Sequence, residues 1–285
     1  MSWLRGDVER RITGATGRGV ESARPLPGGC IAEVYRVFLD DDSTVVIKLA
    51  RGGGLATEAD MLGYLAGHSP LPVPGLIVAE DHLLILSDLG GGGRLTAASE
   101  RDAAEHIAAL HQVTAPRFGF DRDTLIGPLV QPNPQYANWV DFFREQRLMY
   151  MARMARERGQ LSRRTFMMVK GLADKLESYL TEPPQPALIH GDLWTGNVLV
   201  AGDRIAGFVD PAIYFADPEI ELAFSTLFGT FGEAFFTRYA ELAPLRPGFF
   251  ETRRDLYNLY PLLVHTVLFG GAYAASVERT LETYL

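Results

Sequence analysis

Cysteine is nearly absent from this 285-residue chain. Its single cysteine, Cys30, cannot close an internal disulfide, which fits a reducing compartment. An export signal is missing too: the opening MSWLRGDVERR places charges where a signal peptide needs an apolar centre, so a cytoplasmic location is expected. Long uninterrupted apolar runs are lacking. The most hydrophobic stretch, LYPLLVHTVLFGGAYAAS (259–276), is broken by Tyr260, His265, Thr266 and the pair Gly270-Gly271, and reads as a buried helix rather than a membrane span. Positive charge is in deficit, with a formal net charge of −8 and no run of Lys and Arg, so the chain has no general attraction for a nucleic-acid backbone. Internal repeats and low-complexity tracts are absent as well.

What remains is an ordinary globular composition, 47% hydrophobic and 22% charged, on a chain long enough for one large domain or for two lobes around a cleft. VYRVFL (34–39) and TVVIKLA (44–50) are β-branched runs separated by the turn residues DDDS, a hairpin pattern. TEADMLGYLA (57–66) predicts a helix with Thr57 as N-cap and Met61, Leu62 and Leu65 on one face, followed by strands at 76–80 and 83–87. GGGG at 90–93 ends this sheet-rich part. Beyond it the periodicity becomes helical, over 97–113, 136–158 and 161–180. The shift predicts a lobe boundary there, with an N-terminal lobe at 1–89 and a C-terminal lobe at 90–285. After Pro183-Pro184 come two short strands, the second ending in RIAGFVD (204–210), and then helices.

LIHGDLWTGNVLV (188–200) sets three polar groups between two apolar strips. His190, Asp192 and Asn197 have the H-x-D-x-x-x-x-N spacing of a kinase catalytic loop, in which the aspartate takes the proton of the attacking hydroxyl and the asparagine offers an amide oxygen to Mg2+. A structural Asx turn would also explain HGD by itself. Asp210, at the end of the next strand, is placed to hold the metal against nucleotide phosphates. Upstream, Lys48 in VVIKLA and Glu58 in TEADML supply the lysine and the fixed counter-charge that polyphosphate binding requires. Gly28 and Gly29 could cover the phosphates, although the third glycine of G-x-G-x-x-G is missing. Gly52–Gly54 and Gly90–Gly93 read as flexible joints.

PLPGGCIAEVYRV, FGFDRDTLIGPLVQPNPQYANWVDFFREQRL (118–148), HGDLWTGN, VDPAIYFADPEIELAFSTLFG and LYNLYPLLVHTVLFGGAY together resemble the fructosamine kinase (ketosamine-3-kinase) family, nearly end to end. The resemblance implies an α+β, bilobal protein-kinase-like fold related to aminoglycoside phosphotransferases, with a small β-rich N-lobe and a larger, mainly helical C-lobe. It implies ATP-dependent phosphorylation of the sugar 3-hydroxyl of a ketosamine, of fructosamine, ribulosamine or erythrulosamine type, free or on glycated proteins. By the same resemblance Asp192 is the base, Lys48 and Glu58 serve the nucleotide, Asn197 and Asp210 hold Mg2+, and the connector LILSDL, through Ser87, Asp88 and Leu89, meets the adenine edge. Trp194 and Asp217 would lie near the sugar. Thr195 stands where Ser is common, and ADPEIELA has Glu221 where the family pattern leads one to expect Asp.

Two rival readings are a phosphotransferase for an aminoglycoside, choline or another sugar hydroxyl, and a nucleotide-binding regulator without turnover. The second loses force because Lys48, Glu58, Asp192, Asn197 and Asp210 are all present. Cys30, next to Gly28-Gly29 in an electropositive loop, is a candidate redox switch. A disulfide there could form only between two copies, so the chain would be a monomer or a redox-linked homodimer.

Overall fold

The computed structural model describes residues 6–26 and 32–285; Gly28, Gly29 and Cys30, the expected phosphate loop and redox switch, lie outside the described residues. Helix α1 (Gly6–Thr16) precedes a five-stranded antiparallel sheet of β1 (Val20–Pro25), β2 (Glu33–Leu39), β3 (Thr44–Leu49), β4 (Leu76–Ala79) and β5 (Leu83–Ser87), in the order β1-β2-β3-β5-β4. Helix α2 (Leu55–His68) connects β3 to β4. Alternation along the strands assigns the two faces. Val45 and Ile47 of β3, with Leu83 and Ile85 of β5, pack with Val8 and Ile12 of α1. Val46 of β3, with Leu84 and Leu86 of β5, packs with Leu55, Ala59 and Leu62 of α2. Lys48 shares the parity of Val46 and is 6% exposed, so it belongs to the α2 side. The strands are apolar on both faces because each face carries a helix, which accounts for the absence of a polar alternation in VVIKLA and LLILS.

The expected hairpin forms, and its turn is held by Asp41 Oδ1 accepting from the Ser43 N–H, with Asp42 at φ 64°. Helix α2 starts earlier than expected, and Thr57 is not its cap. Gly53 and Gly54 take left-handed backbones, Asp81 Oδ1 accepts from the Gly54 N–H at 2.8 Å, and a Cβ at Gly53 would collide with the Asp81 carboxylate. Sequence reading alone passed over α1 and β1, whose residues are mostly exposed, with Val8 and Ile12 the buried residues of α1.

Beyond the connector the chain is mainly helical. Helix α3 (Ala97–Leu110) opens with a capping box between Thr96 and Ser99. A short hairpin, β6 (Thr124–Ile126) and β7 (Leu129–Gln131), then leads to α4 (Trp139–Phe142), a π-helical stretch Phe143–Met149, α5 (Tyr150–Glu157) and α6 (Arg163–Ala173). The wide π turn accommodates Arg147, which is fully buried, with its guanidinium 3.8 Å from the Tyr214 ring centre and 4.6 Å from that of Phe142. Four short strands follow, β8 (Ala187–Ile189), β9 (Val198–Ala201), β10 (Arg204–Phe208) and β11 (Tyr214–Ala216), paired β9 with β10 and β8 with β11. The glycine run at 90–93 lies against β9: the Gly93 N–H donates to the Val200 carbonyl, and a Cβ on Gly93 would stand 3.0 Å from that oxygen.

Helices α7 (Glu219–Leu227), α8 (Glu233–Leu242), α9 (Arg254–Phe269) and α10 (Ala272–Tyr284) complete the chain. The apolar C-terminal stretch is thus two helices divided at Gly270-Gly271, and no helix among the described residues is long and apolar enough to cross a membrane. One large core runs through this half and takes in Met61, Leu65 and Leu71 from the α2 region, tying α2 to both halves.

Candidate active site

The loop between β8 and β9 carries the His190–Asn197 pattern, and its shape follows from one glycine. Gly191 sits at φ 83°, where an added Cβ would stand 2.0 Å from the Ala212 carbonyl oxygen, so no side chain fits. The Ala212 N–H in turn donates to the His190 carbonyl at 2.7 Å. His190 is fully buried and shaped to hold the loop: Nε2 donates to the Val209 carbonyl at 3.0 Å, and Nδ1 accepts from the Asp192 N–H at 3.3 Å. Burial lowers its pKa, so the ring is a neutral brace and not an acid.

Asn197 directs its amide N–H groups to Asp192, reaching both the backbone carbonyl and Oδ2 at 2.8 Å. That leaves Asn197 Oδ1 as the oxygen able to face a cation. Burial drives the Asp192 carboxyl up to about 7; hydrogen bonds from Asn197 and Trp194 pull it down, and the nearby Glu221 charge pushes it up again. A carboxylate poised near neutrality can accept a proton and release it.

Across the cleft, Lys48 joins two carboxylates. Its Nζ lies 2.6 Å from Glu58 Oε1 and forms an ion pair with Asp210 Oδ1. Asp210 reaches this position through a left-handed backbone, φ 55°, uncommon for a residue other than glycine but tolerated by aspartate. Lys48, Glu58, Asp192, Trp194, Asn197 and Asp210 therefore border one cleft of about 790 Å³. Trp194 folds back over Gly196, where a Cβ would lie 2.5 Å from the indole, so the ring is seated on its own loop at the cleft edge.

Other expected site residues lie elsewhere. Asp217 does not border the cleft: it is fully buried, paired with Arg246, and its Oδ2 accepts from the Tyr257 hydroxyl at 2.6 Å. A carboxylate consumed by these partners anchors the start of α7 and is withdrawn as a substrate contact. Ser87, Asp88 and Leu89 are likewise not among the residues bordering the cleft. Ser87 Oγ accepts from the Gly75 N–H at 2.8 Å, and Asp88 is held by Arg36 at 2.5 Å, so their side chains are structural and only the connector backbone is left for a ligand.

One contribution was marked by the sequence only as a departure from the family pattern, and two more escaped it. Glu221, 2% exposed, accepts from the Gly191 N–H at 2.7 Å through Oε2, while Oε1 lies 2.9 Å from His111 Nε2. The glutamate in the place expected for aspartate thus holds the loop of Asp192 from α7. The β6–β7 hairpin contributes Leu125 to Pro128 to the cleft, and Gln131 Nε2 reaches the Ala212 carbonyl at 3.0 Å. Finally, Phe224, Phe228, Val264, His265, Phe269 and Tyr273 form an apolar side of the same cleft. Sequence reading took 136–158 and 259–276 as helical stretches and linked 118–148 and 256–273 to function only by resemblance.

The profile of the fructosamine kinase family matches residues 5–285. A Synechocystis protein named as a ketoamine kinase is 33% identical over 98% of this chain and 96% of its own length. A chloroplast protein-ribulosamine 3-kinase of Arabidopsis thaliana is 30% identical over 90% of this chain and 81% of its own. Among solved structures, a Thermobifida fusca protein described as a fructosamine-3-kinase superposes with a TM-score of 0.86 at 31% identity, covering 98% of both chains. An aminoglycoside phosphotransferase solved with AMP-PNP and hygromycin B shares the fold, with a TM-score of 0.69 at 17% identity and coverage of 98% of this chain and 99% of that one. The α+β, protein-kinase-like fold and the match along nearly the whole chain agree: this chain belongs to the fructosamine kinase family and is an ATP-dependent kinase.

Proposed function

We propose that the enzyme transfers the γ-phosphoryl group of ATP to the 3-hydroxyl of a ketosamine, the rearranged adduct of a sugar and an amine, free or protein-bound, in a deglycation repair role. The observation that carries this reading is the placement of Asp192, hydrogen-bonded by Asn197, in one cleft with the Glu58–Lys48–Asp210 chain. Asp192 accepts the proton of the attacking hydroxyl. Lys48, fixed by Glu58, engages the nucleotide phosphates, exchanging the Asp210 carboxylate for phosphate oxygens as ATP enters. The connector backbone at Asp88 and Leu89 is the proposed adenine edge, and Trp194 borders the acceptor side.

Asn197 Oδ1 and the Asp210 carboxylate would hold Mg2+. They are the hard oxygen donors this ion takes, and in the free enzyme the Lys48 ammonium already stands in for a cation beside Asp210. When bound, the ion supplies charge neutralisation to the phosphates. Its protein ligands contribute only placement.

The names of the homologues favour a ketosamine acceptor over an aminoglycoside or choline, since the aminoglycoside enzymes share only the fold. A coupled assay of ADP release with lysine adducts of fructose, ribulose and erythrulose, and with an aminoglycoside and choline, tests the reading. Turnover with the ketosamines is expected; turnover confined to the last two compounds would overturn it.

A further inference from the structure

The cleft is built from two chemistries. One end is polar, with Lys48, Asp192, Asn197 and Asp210, and accounts for phosphoryl transfer. The other is a continuous wall from α7, α9 and α10 in which Phe224, Phe228, Val264, His265, Phe269 and Tyr273 present no charged group. His265 is the hub of this wall. Its ring centre lies 5.0 Å from that of Phe228, 5.7 Å from Phe269 and 4.9 Å from Tyr273. Nδ1 donates to the Pro261 carbonyl at 2.8 Å, fixing the ring plane, and burial lowers the imidazole pKa so that the ring is neutral at physiological pH. Phe228 and Phe269 remain 40% and 54% exposed, so apolar surface stands in water at the mouth of the site.

A polyphosphate has nothing to bury against such a wall, a sugar ring offers only a C–H face, for which Trp194 at the cleft edge is already available, and the reading above gives adenine to the connector backbone. The ketosamine nitrogen, however, carries a substituent beyond the sugar. We propose that this aromatic wall seats the hydrocarbon group of a free hydrophobic amine, so that the enzyme selects its ketosamines by the apolar size of the amine. The inference rests on the ketosamine reading given above. A lysine in a protein carries a hydrocarbon stem too, but the backbone amides flanking it would be pressed onto uncharged rings and lose water without gaining partners, which disfavours that source.

The test is a series of ribulose adducts of methylamine, butylamine, hexylamine and benzylamine, with the adducts of glycine and of Nα-acetyl-lysine methylamide as separate arms. Each buried methylene is expected to raise kcat/KM by about 3- to 4-fold until the wall is covered. The glycine adduct should fall below all the alkyl adducts, and the lysine adduct should not exceed that of butylamine. In the Phe228→Ala/Phe269→Ala double variant, the hexylamine-to-methylamine ratio of kcat/KM should fall at least several-fold. Both rings are partly exposed, and an unchanged thermal midpoint checks that the variant is folded. A flat series in the wild type, an undiminished ratio in the variant, or a lysine adduct preferred over butylamine would overturn the proposal. Turnover that ignores the amine sinks this inference alone, whereas no turnover with any adduct would sink the ketosamine reading as well.

Discussion

The Gly191 N–H donates to Glu221 Oε2 at 2.7 Å, joining the loop that carries Asp192 to α7 through a carboxylate that is almost wholly buried. His111 holds the other oxygen and has the Tyr239 hydroxyl 2.7 Å from its Nδ1, so the loop is braced from α3 and α8 as well. Glu221→Ala strands the Gly191 N–H and the His111 ring together. Each unsatisfied buried group costs about 1–3 kcal/mol, so the thermal midpoint should drop by several degrees and kcat should fall more than the KM for ATP changes. An unaltered midpoint with full kcat would remove Glu221 from this role.

Gly191→Ala is expected to be more damaging than its size suggests. The added methyl would meet the Ala212 carbonyl at 2.0 Å in a left-handed backbone, so the loop must move. A loss of about 3 kcal/mol or more in a denaturant titration, with kcat reduced at least 100-fold in any folded fraction, is the outcome to look for.

Asp192→Asn should lower kcat on the order of 100-fold or more while nucleotide binding persists. It should also change how stability responds to pH. The native carboxyl titrates near 7, above its ordinary range because burial disfavours the charge, so between about pH 4 and pH 7 the native state holds a proton that the unfolded chain has released. The wild type therefore loses stability as pH rises through this window, and the asparagine variant does not. The difference in thermal midpoint, variant minus wild type, should grow from about pH 5 to about pH 8 in the nucleotide-free protein. A constant difference would contradict the burial argument.

Lys48→Met leaves Glu58 and Asp210 without their shared cation. The KM for ATP should rise and kcat should fall, each by about 10-fold or more. Asp210→Asn should instead shift the Mg2+ titration of activity to higher concentration. Superimposable Mg2+ curves for wild type and Asp210→Asn would remove Asp210 from the metal site.

Much of this was legible in the chain. The hairpin of β2 and β3, the strands around LLILS and the helices beyond the glycine run follow from period and turn chemistry, which act over a few residues, while Lys48, Glu58, Asp192, Asn197 and Asp210, which the structure brings to one cleft, were picked out by matching the order of groups that kinase chemistry requires. Thr57 failed as a cap because Asp81, distant in sequence, fixes the start of α2 at Gly54. Asp217 looked like a substrate contact because charge in a motif says nothing of its partner, and Arg246 and Tyr257 are supplied by later segments.

Sequence by itself therefore determined which chemical groups are present and how neighbours are spaced, since backbone geometry sets those distances locally. Tertiary structure alone decided that Lys48 meets Asp210, that Glu221 and His111 brace Gly191, and that α7, α9 and α10 share one apolar wall. The physical reason is that such pairs are brought together by burial of a common core. Hydrophobic burial is non-directional and leaves no short-range mark from which a given side chain's distant partner could be read.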